Sequence, residues 1–207
     1  GLGTEATLLI DVGTVWNDDV ERAAAVLPKL EEQRVTWLEE PFVTGAFPAY
    51  SALAKRADVV KMAAGEGSHN AWQARHLIDY AGIGYVQIDT GRIGGITPAA
   101  DVSAYARERG VTYVNHTFTS HLALSASLQP FAGSEADVIC EYPVAPKALA
   151  LDLTRNHLER DADGFIHVPE APGLGMTLDL DAVCPYLVET EIRVGGAVLY
   201  RTPELTD

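Results

Sequence analysis

Short apolar segments alternate with amphipathic segments over the first two-thirds of the chain. Between the apolar segments lie stretches with helical periodicity, such as DDVERAAAVLPKLEEQ and PAADVSAYARERG. Strands that alternate with helices are typical of parallel sheets with right-handed crossovers. The pattern therefore predicts an α/β fold with six strand–helix units. The six predicted strands are ATLLIDVG, VTWLEEPF, VVKMAAGEG, GYVQIDTG, VTYVNHT and ADVICEYP.

Each predicted strand carries a polar residue of chemical interest at or near its carboxyl end. A Rossmann-type sheet would gather its ligand at one switch point, usually beside a GxGxxG turn, and the glycines of GRIGGIT have a different spacing. Polar groups that successive strands deliver to one end favour a (β/α)8 barrel of the TIM type. We expect a partial barrel made of strands three to eight and a C-terminal tail. The six strand-end residues are Asp11, Glu39, Glu66, Asp89, His116 and Glu141.

The pattern changes after about Pro143, where turn signals and short strands replace the helical period. We predict that residues 1–145 form the partial barrel. Residues 146–207 are expected to form a C-terminal segment that packs back on the barrel or on a capping domain. Within it, TEIRVGGAVLYRTP predicts a hairpin around Gly195 and Gly196.

Composition and charge narrow the possible functions. The 207 residues suffice for one sizeable core, and a formal charge of −14 argues against nucleic acid and anionic membranes as partners. The charge does not exclude a small anionic substrate, because a bound Mg²⁺ can reverse the local field. Cys140 and Cys184 lack metal-binding spacing, and neither a leader nor an apolar run of roughly 18 residues is visible. These features predict a cytoplasmic protein with two reduced thiols.

Three of the strand-end acids indicate a metal site. Asp11, Glu39 and Glu66 would converge at a barrel mouth, where a hard divalent cation would offset their mutual repulsion. Ligands that are all oxygen favour Mg²⁺. The alternative is that one or more of these acids caps a helix or lines a solvated loop. Strand alternation places Glu40 on the opposite side from Glu39, as a hydrogen-bond or ion-pair partner behind the ligands, and Pro41 then ends the strand.

Two histidines are candidates for the pocket. His116 follows Asp89 by one strand–helix unit, and a carboxylate beside a histidine fixes its tautomer and tunes it for proton transfer. A histidine by itself is more often structural, but the neighbouring acid and metal site favour the catalytic interpretation here. His69 could reach the pocket and contact a substrate. We expect His121 to be structural and His76 to lie on the surface of a helix.

Arg92 and Glu141 each keep two interpretations. Arg92 could neutralise Asp89 or contact an anionic substrate. Glu141 could act as an acid or hydrogen-bond donor to the oxygen that becomes negative in the reaction. Alternatively, Glu141 could form an ion pair with an incoming loop.

Several motifs in the same order resemble a known family. IDVGTVW, WLEEPF, AAGEG, QIDTGRIGGIT and VNHTFTSH are similar to the C-terminal barrel domain of the enolase superfamily. They look most like its mandelate racemase subgroup, which contains many acid-sugar dehydratases. The resemblance covers about residues 5–180. It implies that Asp11, Glu39 and Glu66 bind Mg²⁺, that His116 and Asp89 form the catalytic dyad, and that Glu141 faces the developing enediolate.

The chain also departs from the family pattern. Relatives usually have Asn two residues after the first metal ligand, where this chain has Gly13. Their N-terminal capping domain and the basic residue of their second barrel strand have no counterpart in these residues. We therefore expect the barrel to be a homo-oligomer or to associate with a missing N-terminal part.

The resemblance implies an Mg²⁺-dependent lyase, a hydro-lyase that removes the proton α to a carboxylate. The expected reaction is dehydration of an acid sugar, an aldonate or aldarate, to a 2-keto-3-deoxy acid. One alternative is a racemase or epimerase of a 2-hydroxy acid, which needs a second base from a strand outside this sequence. A further alternative is a non-catalytic barrel fragment that binds a metal or a partner protein.

Overall fold

The computed structural model describes residue 3 and residues 6–118, 120–134 and 139–204. These residues fall into two compact units. The first unit comprises the described residues of Gly1–Thr117 and Ser127–Glu141. The second comprises the described residues of Phe118–Ala126 and Tyr142–Asp207.

The first unit is built on one parallel sheet of five strands in the order β1-β2-β3-β4-β5. Every neighbouring pair in this sheet is parallel. Helices separate successive strands, so the α/β prediction and the partial-barrel architecture are confirmed. The strands are β1 (Leu8–Asp11), β2 (Val35–Glu39), β3 (Lys61–Ala64), β4 (Tyr85–Asp89) and β5 (Thr112–His116).

Six helices accompany these strands along the chain. The first predicted helix is broken into α1 and α2, because Pro28 lacks an N–H and its ring clashes with the preceding turn. The Asp19 side chain caps α1 by accepting from Arg22 N–H. The helices are α1 (Val20–Ala24), α2 (Leu27–Glu32), α3 (Phe47–Ala54), α4 (Ala71–Tyr80), α5 (Ile96–Glu108) and α6 (His121–Leu128), with a 3₁₀ turn at Gln129–Phe131.

Alternate side chains of the strands enter two separate apolar clusters. Leu38, Met62 and Val86 belong to the main core that the sheet shares with its helices. On the other face, Trp37 packs with Ala63, Val114, Tyr85 and Ile139 in a smaller cluster. The polar strand-end residues follow this second cluster at the carboxyl ends of the strands.

A glycine at the end of β3 allows two strands to approach closely. Gly65 adopts φ +137°, and a Cβ there would lie 2.6 Å from the carbonyl oxygen of Gln87. Any other residue would push β3 away from β4 at this level. The close approach fixes the backbone of Gln87 beside the end of β3.

The sixth predicted strand is described only in part. Residues 136–138 lie outside the described residues, and residues 139–143 are not assigned to a strand. Side-chain bonds from β5 nevertheless fix the position of Glu141, as the site geometry below shows.

The second unit contains α7 (Ala148–Asp152), α8 (Leu180–Val183) and a 3₁₀ turn at Cys184–Tyr186. Its strands β6 (Glu191–Val194) and β7 (Ala197–Arg201) pair antiparallel. Gly195 and Gly196 between them have φ values of +57° and +85°. Two positive φ angles suit a tight hairpin turn. The predicted hairpin is therefore confirmed.

Two smaller findings concern membranes and thiols. Among the described residues, every helix is too short or too polar to cross a bilayer. Cys140 and Cys184 are both free thiols.

One carboxylate fastens α2 to the residues that lead into β3. Glu31 accepts hydrogen bonds from the backbone N–H groups of Asp58, Val59 and Val60 at 2.9, 3.0 and 3.4 Å. Partial burial acts to raise the pKa of Glu31, but these three donors hold it below its ordinary value of 4.5.

We predict that Glu31→Gln lowers the free energy of unfolding by roughly 1–2 kcal/mol, because the amide is a weaker acceptor and part of it is a donor. Glu32→Gln is the matched control. Glu32 pairs with Lys29 on the surface, so its loss should have little effect. Urea unfolding of both variants measures the difference. Because the folded-state pKa of Glu31 is lowered, the stabilisation is present above pH 4.5 and is lost as the pH falls through the folded-state value. Equal stabilities of the two variants at neutral pH would contradict this account.

Candidate active site

The strand register brings the predicted site residues to one edge of the sheet. Asp11 is the neighbour of Glu39 across β1 and β2, and Asp89 is the neighbour of His116 across β4 and β5. Glu66 follows two residues after the end of β3. Because parallel strands end at the same edge, five groups from five strands face one mouth.

His116 is held between two carboxylates. Its Nδ1 lies 2.9 Å from Asp89 Oδ2, and its Nε2 lies 3.1 Å from Glu66 Oε2. Burial of the ring acts to lower its pKa, but the bonds to Glu66 and Asp89 prevail and raise the pKa to about 9. The imidazole is therefore fixed in orientation, and both of its nitrogens are engaged.

Glu66 is shared between His116 and Arg92. Arg92 Nη1 lies 2.7 Å from Glu66 Oε1, and its backbone N–H donates to Asp89 Oδ1 at 2.8 Å. The hydrogen bond from His116, followed by that from Arg92, lowers the pKa of Glu66 to about 2 despite its partial burial. The guanidinium of Arg92 is therefore closer to Glu66 than to Asp89, whose Oδ2 lies 4.0 Å from Arg92 Nε.

Glu39 and Glu40 are buried and carry excess negative charge around them. Burial, together with the nearby carboxylates Asp11 and Glu66, raises the pKa of each to about 7. Hydrogen bonding from the Gln87 side chain partly opposes the effect at Glu39. A mouth with this charge pattern favours cations.

The backbone of Glu40 departs from the strand geometry on which its predicted place, on the side opposite Glu39, rests. The alternation of β2 ends at Glu39, and Glu40 adopts the left-handed region with φ +41°. Its strongest electrostatic neighbours are Glu66, Asp11 and Glu39. Because Glu40 lies outside the regular strand, strand alternation does not fix its side, and its placement opposite Glu39 stays a prediction.

Glu141 is placed by side chains of β5 and the residue that follows it. Asn115 accepts from the N–H of Glu141 at 2.9 Å and donates to its carbonyl at 3.1 Å. The backbone N–H of Thr117 donates to Glu141 Oε2 at 2.8 Å. Burial raises the pKa of Glu141, whereas the Thr117 bond acts to lower it.

The other histidines for which contacts are described have different partners. His69 is exposed, and its backbone N–H bonds to Gln73 Oε1. The His76 ring lies 5.7 Å from the Tyr80 ring on α4, tilted by 52°. His121 belongs to the second unit, where it stacks on His157 and accepts from the N–H of Leu158. A role for His69 in substrate binding stays a prediction.

Three residues that the sequence pattern does not single out support the acids: Trp37, Gln87 and Asn115. Each lies one or two residues before a strand-end residue, inside a strand, where a polar group is buried almost completely. Buried polar side chains need partners. A tryptophan, glutamine or asparagine one or two residues before the end of a predicted strand was therefore the sequence signal that could have identified these supports.

The acids suit Mg²⁺ in chemical type. They are oxygen ligands on neighbouring strand ends, and their repulsion is the kind of cost that a divalent cation removes. As the side chains stand, no group of three among the described residues is close enough to hold a metal ion. Glu66 instead contacts His116 and Arg92. Ligand roles for Asp11, Glu39 and Glu66 therefore stay predictions.

We predict that Asn115→Asp destabilises the protein by roughly 3 kcal/mol. The carboxyl loses the amide donor to Glu141 O and must be buried, because Asn115 is fully buried. Asn70→Asp is the matched control. Asn70 caps α4 only as an acceptor from Gln73 N–H, a task that Asp performs equally well. Thermal unfolding compares the two variants. Unchanged stability of Asn115→Asp would show that the hydrogen bonds of Asn115 do not hold Glu141 in place.

Known proteins match this chain over most of its length. A crystal structure described as a predicted mandelate racemase from Rhodobacter sphaeroides is 59% identical, with a TM-score of 0.93, and the match covers 99% of this chain and 52% of that one. D-xylonate dehydratase of Haloferax volcanii is 27% identical over 179 residues, which is 85% of this chain and 42% of that protein. D-galactonate dehydratase of Ralstonia pickettii is 27% identical over 162 residues, 76% of this chain and 42% of that protein.

The chain spans about half the length of the relatives that it matches. The family model described as "Enolase C-terminal domain-like" matches residues 1–183. With the parallel strand–helix architecture, this match establishes that the chain belongs to the enolase superfamily as its C-terminal, barrel-type domain.

Proposed function

We propose that the protein containing this chain is an Mg²⁺-dependent acid-sugar dehydratase that converts an aldonate or aldarate to a 2-keto-3-deoxy acid. The observation that carries the proposal is the position of His116. Its ring lies between Asp89 and Glu66 at an edge where the other acids also emerge. A proton-transfer group beside a strongly anionic mouth suits the removal of a proton next to a carboxylate.

Asp11, Glu39 and Glu66 would hold the metal ion. When bound, Mg²⁺ supplies Lewis-acid stabilisation for a substrate carboxylate whose negative charge grows as the α-proton leaves. Glu40 adds a fourth carboxylate, and the charges of the other three acids contribute to its raised pKa. We propose that Glu40 is a hydrogen-bond or ion-pair partner of the residues that hold the ion.

His116 moves the proton. Asp89 holds Nδ1, so Nε2 is the nitrogen that can meet a substrate once Glu66 turns from it towards the ion. In dehydration the α-carbon loses its proton, the remaining electron pair forms the double bond, and the β-hydroxyl leaves with a proton as water. His116 either takes the α-proton or delivers the proton to the leaving hydroxyl.

Glu141 and Arg92 complete the assignment. Glu141 is half-buried, and the burial that raises its pKa favours a protonated carboxyl that can donate to the oxygen where charge develops. Arg92 is half exposed beside Glu66 and could contact an anionic substrate as well as that acid. His69, exposed in the loop after Glu66, is proposed as an outer substrate contact.

The relatives support this reaction class. Two of them are dehydratases of D-xylonate and D-galactonate, which are sugar acids. Because the chain spans about half of each, we propose that the active protein combines this domain with a further N-terminal part or with other copies. The substrate itself is a small anion.

Racemisation of a 2-hydroxy acid is the second candidate. The relative at 59% identity is described as a predicted mandelate racemase, which favours it. Racemisation would place solvent deuterium at the α-carbon without loss of water. Dehydration would give a 2-keto product.

The direct experiment supplies Mg²⁺ to the intact protein and screens aldonates and aldarates for 2-keto products. The same mixtures in D₂O are followed by ¹H NMR for exchange of the α-proton. We expect both signals with at least one acid and neither signal after chelation of the metal. The absence of both signals across the panel would overturn the proposal.

We predict that His116→Asn lowers dehydration by at least about 100-fold, because general acid–base catalysis contributes on that order. His76→Asn is the matched control on the surface of α4 and should keep full activity. Exchange of the α-proton separates the two roles. Loss of exchange in His116→Asn identifies His116 as the base, and persisting exchange without dehydration identifies it as the acid. Dehydration at the wild-type rate would exclude both roles.

A further inference from the structure

We infer that Trp37 is a positioning residue that holds the Glu39 carboxylate in its metal-binding orientation. The inference rests on the proposed function in one respect, namely that Glu39 binds the cation. It assigns a role to an indole that lies deeper in the sheet than any proposed ligand.

The indole and the carboxylate are joined directly. Trp37 Nε1 donates to Glu39 Oε2 at 3.2 Å, and the two residues are 4% and 7% exposed. They lie two positions apart on β2, so both side chains project to the same face of the sheet. Water cannot readily replace this bond, because the donor and the acceptor are both buried.

The donor cannot move away from the carboxylate. The Trp37 ring packs against Tyr85 with centroids 4.8 Å apart and is enclosed by Ala63 and Val114. A tightly packed ring stays in one rotamer. The Nε1–H vector is therefore set by the apolar cluster beneath the site, and it in turn fixes one oxygen of Glu39.

Gln87 gives the carboxylate a second support. Its side chain hydrogen-bonds to Glu39, and its own Oε1 is buried without a partner among the described residues. The close approach at Gly65 fixes the backbone of Gln87. A buried oxygen without a partner costs free energy, so the position of the Gln87 amide depends on the hydrogen bond that it makes to Glu39.

Both supports are neutral, and this decides what they can do. Glu39 is repelled by Asp11, Glu141 and Glu66, so an untethered side chain would turn away from them. A lysine or arginine at position 37 would hold it, but would also cancel charge that the metal needs. An indole N–H orients the carboxylate and leaves its full charge available to a cation.

The test measures metal binding rather than turnover. Mn²⁺ affinity of the intact protein is determined from the free-ion signal in electron paramagnetic resonance, for the wild type and for Trp37→Phe. Phenylalanine keeps an aromatic ring beside Tyr85 and removes the donor. We expect the dissociation constant to rise about 10-fold or more, the usual effect of removing a partner behind a ligand. Trp72→Phe, the same exchange at a side chain that is 68% exposed, should bind as the wild type does.

A second measurement needs no variant to fold well. The Trp37 indole N–H signal of the ¹⁵N-labelled wild type, assigned by its absence in Trp37→Phe or, failing that, by selective labelling, should shift on saturation with Mg²⁺. The Trp72 signal should stay in place.

The outcomes separate the two claims. If the wild type binds Mn²⁺ and a folded Trp37→Phe binds equally well, or if the Trp37 signal ignores Mg²⁺, the positioning role is overturned and the proposed function stands. If the wild type binds no Mn²⁺, the proposed function fails and the inference fails with it.

Discussion

Parallel pairing of β1 to β5 is the constraint on which the site depends. Because every strand ends at the same edge, acids that lie far apart in sequence must share one mouth. Their mutual repulsion, added to burial, raises the pKa of Glu39 and Glu40 to about 7. The protein thus stores unfavourable like charge at this edge, and a bound divalent cation would relieve it.

The surrounding residues divide into two kinds of support. Arg92 and His116 are cationic partners, and both of them engage Glu66. Glu39 and Glu141 are held instead by neutral donors, namely the indole of Trp37 and the backbone N–H of Thr117. A carboxylate held by a neutral donor keeps its charge for a ligand. Ion pairs therefore stabilise Glu66 and Asp89, whereas neutral hydrogen bonds orient Glu39 and Glu141.

The sequence allowed the fold class and the strand ends to be predicted because period and spacing are local properties of a chain. Asp89 and His116, one unit apart, are indeed hydrogen-bonded neighbours. Local reasoning falls short where the backbone departs from regular geometry: Pro28 splits a predicted helix, and Glu40 takes a positive φ where strand alternation ends. The support from Asn115 to Glu141 spans 26 residues and joins a side chain to a backbone, so no periodic pattern predicts it.

The central claim is that the strand-end acids share one divalent cation. The most direct measurement is an anomalous difference map from crystals of the intact protein grown with Mn²⁺. The account predicts one strong peak at the mouth, within coordination distance of the carboxylates of Asp11, Glu39 and Glu66, with Glu66 turned from His116 towards the ion. A mouth without a peak, or a peak bound by other residues, would contradict it.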